Sequence, residues 1–227
     1  MTGPARIVAG ALVAIAVRTG PAAAELGGAV MAHYEGSYVQ TGVLDDDDDA
    51  APRGLGLARL RLRGVGPWRR GPTLGFELGV GSTRPGGFAY EAALYPLGLG
   101  AQLGEAGSVG VVVGIGASGA VGTVDDAALV PVSWWIELPL GRRLRVLGHG
   151  RLAWVLSSDA RDGGSPTVGA VDELEAMVAL RVGRTYQDSR ARSGNGWFVG
   201  GAYREAEGHR FVGAVLGYSI DLAMARH

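Results

Sequence analysis

The chain has no cysteine and no lysine, and neither absence is neutral. Without cysteine there can be no disulfide, no zinc–thiolate centre and no thiol nucleophile. All 21 basic residues are arginine; set against 22 acidic ones they leave a formal net charge of −1, which gives no global attraction for nucleic acid. Hydrophobic residues make up 47% of the 227 and mean hydropathy is +0.17, yet no run of about 20 apolar residues occurs. A spanning helix is therefore not expected. Neither a P-loop, nor a dinucleotide fingerprint after a strand, nor HExxH is present. Residues 114–119 are glycine-rich but continue a valine strand with no helix to follow, so they form no phosphate cradle. No cofactor and no metal is expected.

What the chain does have is alternation. In Ala58-Arg59-Leu60-Arg61-Leu62-Arg63 the period of two puts the apolar residues on one strand face and three arginines on the other. Leu74, Phe76, Leu78 and Val80 form a similar row, as do Leu97, Leu99, Ala101 and Leu103. Further rows are Val130, Val132, Trp134, Ile136, Leu138 and Leu140, then Leu174, Ala176, Val178, Leu180 and Val182, then Val212, Ala214, Leu216, Tyr218, Ile220 and Leu222. Ten segments read as strands: 28–40, 54–64, 73–82, 89–103, 107–117, 128–140, 144–156, 171–184, 196–206 and 209–222. Lengths near ten residues suit a tilted strand crossing a bilayer. Pro96, Pro131 and Pro139 fall inside these segments and mark bulges or strand ends, because each lacks a ladder donor. Pro96 also puts the facing of Tyr90 and Glu91 in question.

The first 24 residues read as an export signal: Arg6, an apolar stretch over 7–17, and Ala22-Ala23-Ala24 before Glu25. That leaves 25–227 as one domain. Connections at 41–53, 118–127 and 157–170 are long, and those at 104–106 and 141–143 are tight, the asymmetry expected of surface loops and periplasmic turns. Two connections break it: 185–195 is long and 207–208 is short.

Alternation alone does not say which face points inward. A soluble lipocalin-type barrel would bury the apolar row and hydrate the charges. Here the rows opposite the apolar ones are Gly, Ala, Arg and Glu, with both signs in similar numbers. The apolar rows scarcely contain a charge, and one arginine at mid-bilayer costs about 2–4 kcal/mol. The expected fold is therefore all-β: a closed antiparallel transmembrane β-barrel of about ten strands, with eight as the alternative.

On this pattern the chain resembles the small, porin-like outer-membrane β-barrel proteins of Gram-negative bacteria. Gly217, Ile220 and Leu222, or Gly213, Leu216 and Tyr218, fit that family's terminal-strand insertion spacing. The family usually closes on an aromatic residue, where this chain has Met224-Ala225-Arg226-His227. The resemblance implies residence in the outer membrane, contact with its lipids and delivery by the barrel-insertion machinery.

With the apolar rows outside, the lumen receives Arg59, Arg61, Arg63, Arg145, Arg151, Arg181 and Arg204, together with Glu35, Glu77, Glu137, Glu173 and Glu175. Charges in a narrow lumen must be paired. They form either a network that fills the barrel or the lining of a narrow, anion-attracting pore. Asp45, Asp46, Asp47, Asp48 and Asp49 sit in the first loop as a candidate cation-binding run, though five like charges in a row are ordinarily solvated. His33, Glu35 and Ser37 share a face, but residues four apart on a strand are roughly 13 Å apart, too far for a nucleophile and its base. His149 shares an inward face with Arg151. Trp134 and Trp135 point to opposite faces, and Trp154, Tyr38 and Tyr95 are candidates for interfacial girdles.

The role expected is that of a non-enzymatic structural or surface-interaction barrel whose surface partner the sequence does not name. A solute or ion pore, a soluble periplasmic carrier of an apolar ligand, and an envelope-lipid hydrolase are the alternatives.

Overall fold

The computed structural model describes residues 26–40, 54–65, 70–84, 86–103, 107–120, 124–158, 171–184, 193–206 and 209–225. Ten strands account for nearly all of them: β1 (Leu26–Gln40), β2 (Gly54–Val65), β3 (Arg70–Arg84), β4 (Gly87–Leu103) and β5 (Gly107–Ala120), followed by β6 (Val124–Pro139), β7 (Leu144–Ser158), β8 (Val171–Arg184), β9 (Ser193–Ala206) and β10 (His209–Ala225). Each pairs antiparallel with its sequence neighbours, and β1 pairs with β10, so the sheet closes on itself without a free edge. Closure satisfies every strand's ladder from within, which a sheet in hydrocarbon must do. The closing seam runs from Ala29 opposite Ala223 to Gln40 opposite Val212 without a shift.

All ten expected strands are present, so the eight-strand alternative falls away. Most are longer than the sequence suggested, and the connection expected at 118–127 is largely strand, with only residues 121–123 between β5 and β6. The segment 1–24 expected to be an export signal, the aspartate run and the connection at 185–192 lie outside the described residues.

The prolines sit where the ladder is irregular. Pairing of β4 with β5 shifts between Leu94 and Leu97, around Pro96. The extra residue there reverses which parity points inward: Ala93 and Tyr95 are buried, while Pro96, Leu97 and Leu99 are exposed. Pro131 lies in the gap between the β5–β6 pairs at Val132 and Leu129, and Pro139 ends β6. The β3–β4 connection turns through Gly86, whose φ of 136° suits a residue without a Cβ.

Burial is the reverse of a soluble protein's. Leu97 is 70% exposed, Val178 65% and Leu74 63%, whereas Arg61 is 2% exposed and Arg181 1%. Inside, apolar patches alternate with the charges. One patch of Leu55, Leu57, Ala89, Ala120, Ala206 and Phe211 lies at the rim away from the start of β1; another joins Leu147, Met177, Ala179, Phe198 and Val215. The outward row Leu97, Leu99, Ala101, Leu103 is exposed only over its first half. Ala101 and Leu103 are buried in a cluster with Val109, against which Ile136 packs.

Candidate functional site

The candidate site is the charged lumen, because among the described residues that is where the strands bring polar side chains together most densely. Period-two alternation brings Arg59, Arg61 and Arg63 inward from β2, Glu77 from β3, and Glu137 from β6. Arg145 and Arg151 enter from β7, Glu173, Glu175 and Arg181 from β8, and Arg204 from β9. All eleven are buried, at 7% exposure or less. Large neighbours fit because glycines stand opposite them. Gly79 faces Glu91, and a Cβ there would lie 2.6 Å from the Glu91 side chain; Gly110 similarly underlies the Trp135 ring.

Arg59 crosses the lumen from β2 to β8. Its two terminal nitrogens donate to the two Glu175 oxygens at 2.9 and 2.8 Å, a bidentate pair between residues 116 positions apart. Arg61 reaches the same carboxylate at 2.5 Å. Glu91 gathers Arg59, Arg204 at 3.0 Å and Arg151 at 3.5 Å. Glu173 meets Arg151 at 3.4 Å, Arg204 at 3.5 Å and the Ser118 hydroxyl. Glu77 accepts from Tyr95 at 3.0 Å and Ser133 at 3.4 Å, with Arg61, Arg63 and His149 at 3.5 to 3.6 Å. Nearer the rim holding the start of β1, Glu137 takes Arg145 at 2.9 Å and Arg181 at 3.0 Å, while Asp221 takes Arg181 at 2.6 Å. Arg63 lies 5.1 Å over the Trp135 ring, whose nitrogen donates to Ser108 at 3.2 Å.

Participants that were not among the site residues read from the sequence include Glu91, Asp221, Ser108, Ser118, Ser133 and Tyr95. Tyr95 is a correction. Read as a girdle residue, it is 1% exposed and hydrogen-bonded within the lumen, because the Pro96 bulge turns it inward. The aromatic residues that do sit outside include Trp197, 62% exposed and edge-on to Tyr218, and Phe88 stacked on Tyr90. The backbone position of Glu35 pairs with Arg59; the side chains of β1, His33 and Ser37 included, lie outside what the structure describes.

Ser133 Oγ and His149 Nε2 are 2.9 Å apart, and His149 Nδ1 is 3.6 Å from Glu175 Oε1. Serine, histidine and an acid thus meet across β6, β7 and β8. The adjoining cavity, lined by Arg61, Arg63, Trp135 and His149, measures about 10 Å³. That holds about one water and no acyl group. Among the described residues no group of three or more His, Asp or Glu is arranged to hold a metal ion.

An antiparallel ring, apolar outside and charged within, defines the class: a transmembrane β-barrel of the outer-membrane type. No family model matches the chain, and no curated protein matches it. Among solved structures it is similar to the translocator domain of the autotransporter NalP from Neisseria meningitidis, at 12% identity over 95% of both chains with a TM-score of 0.39. It is also similar to the outer membrane protein AlkL, solved by solid-state NMR in DMPC bilayers, at 12% identity over 92% of this chain and 95% of that one with a TM-score of 0.35.

Proposed function

We propose that this protein is a non-enzymatic structural or surface-interaction barrel whose lumen is filled by a fixed lattice of ion pairs. The observation that supports the reading most is the bidentate Arg59–Glu175 bridge across the lumen, reinforced by Arg61 on one side and Glu91 on the other. A permeating ion would have to part such pairs, and separating one partner of a buried pair costs about 3–5 kcal/mol. The apolar patch around Leu57 and Phe211 adds a dry layer toward one rim. The partners that fit this reading are outer-membrane lipids, the insertion machinery, and a surface partner met through the loops, the aspartate run included.

In planar bilayers the purified protein is expected to give no steady single-channel openings. A narrow anion pore is the second reading, favoured by seven buried arginines against six buried carboxylates among the described residues. Steady openings that disappear when Arg59, Arg61 and Arg63 are replaced by alanine would establish it in place of the filled lattice. For the carrier alternative, sodium carbonate washing decides: an integral barrel stays in the membrane pellet. For the hydrolase alternative, the small cavity beside Ser133 and His149 argues against turnover, and unchanged lipid profiles on overexpression are expected.

A further inference from the structure

The lumen engages seven arginines with carboxylates; two others, on the outer surface, are placed differently. Arg143 lies in the turn between β6 and β7, and Arg184 ends β8, both exposed at the rim that holds the start of β1. The turn is pinned in place: Leu140 N donates to Leu144 O, and Gly183 N donates to Arg143 O, each at 2.9 Å. Neither guanidinium pairs with a carboxylate among the described residues. Beside them, Val182, Trp197 and Tyr218 are cross-strand neighbours on β8, β9 and β10, with Trp197 and Tyr218 ring centres 5.1 Å apart at 65°. One step closer to the rim, Arg184 stands opposite Asn195. These six residues line one groove of about 320 Å³, and no acidic side chain lines it.

We propose that this groove, Arg143 and Arg184 above the Trp197–Tyr218 pair, binds the phosphate headgroup of an anionic phospholipid. The order of chemistry along the outer wall matches that of a bilayer. Val178 and Leu180, deeper in the same outward row, face acyl chains; Val182 stands level with the aromatic pair at the interface; and the guanidinium groups lie one step further out, at headgroup depth. Arginine's planar fork takes two phosphate oxygens at once, and Asn195 adds a neutral amide donor. This inference rests on the membrane-barrel reading, since a soluble protein would have no lipid beside this wall.

The test is native mass spectrometry of the full-length protein folded in detergent micelles, with phosphatidylglycerol or phosphatidylcholine added at equal concentration. Phosphatidylglycerol adducts are expected to be retained roughly fivefold or more over phosphatidylcholine, from two arginines near one phosphate. The double variant Arg143→Gln/Arg184→Gln should lose the preference. The double variant Arg84→Gln/Arg210→Gln, with equal charge removed at the opposite rim, should keep it. Equal retention of the two lipids by the wild-type protein overturns the site, and this comparison does not depend on any variant folding. Equal loss in both double variants also overturns it, by showing bulk charge at work. Displacement of the adduct by excess inorganic phosphate would move the site to a soluble anion and overturn the lipid assignment. Release of the wild-type protein from membranes by carbonate would instead sink the membrane reading beneath it.

Discussion

At the scale of single residues, the lumen is held by carboxylates that each serve several arginines. Glu175 is the strongest case, taking Arg59 through both oxygens and Arg61 at 2.5 Å. Glu175→Gln keeps the volume and removes the charge from between two buried guanidinium groups. We expect a loss of about 3 kcal/mol, the low end for a broken buried pair because Glu91 and Glu77 still face the two arginines. Urea unfolding in lipid vesicles would read it as a lower midpoint at unchanged slope. The three arginines of β2 were legible in the sequence, since a period of two with one apolar face admits few readings. Glu91 and Tyr95 were not, because their facing depends on one extra residue at Pro96, and a bulge shifts parity without changing composition. Nor was any pairing legible. Contacts such as Arg59 with Glu175 join strands 116 positions apart, and nothing along one strand encodes its partner across the lumen.

At the scale of the strand, the two faces obey opposite rules, and each gives a prediction. Val178 lies near the middle of β8, 65% exposed on the outer face. Val178→Arg should cost about 2–4 kcal/mol, where the same change on a soluble surface would cost almost nothing. Unfolding measured in vesicles of matched thickness decides it; a change within 0.5 kcal/mol would contradict lipid contact at that position. Inside, Gly110 makes room for Trp135, and a Cβ there would come within 2.2 Å of the indole. That ring is held by Ser108 and Arg63, so Gly110→Val should destabilise by about 1–3 kcal/mol. A drop in the heat-modifiable fraction on gels checks it. The strands were legible in number and position but read short at several ends. Towards the rims the rows give way to residues such as Thr83, Arg84 and Asn195, where alternation of hydrophobicity fades although the ladder continues.

At the scale of the whole molecule, closure and inversion belong together. A ring in which β1 meets β10 leaves no edge to protect, so its exterior can be uniformly apolar and its charges can be spent inside. The near absence of charge in the apolar rows makes the sense of that inversion legible in the sequence. The structure carries it in the exposure of Leu74, Leu97, Val178 and Leu216 against the burial of Arg61, Arg151 and Arg181. Such an inverted ring requires that the outer rows touch acyl chains. Because the chain has no cysteine, a single Val178→Cys substitution can carry a nitroxide with no competing site. In lipid vesicles its relaxation should be enhanced far more by dissolved oxygen, which partitions into hydrocarbon, than by a water-soluble nickel complex. Dominance of the nickel complex would put the β8 wall in water, and insensitivity to both would bury it in a protein core; either result would contradict the account.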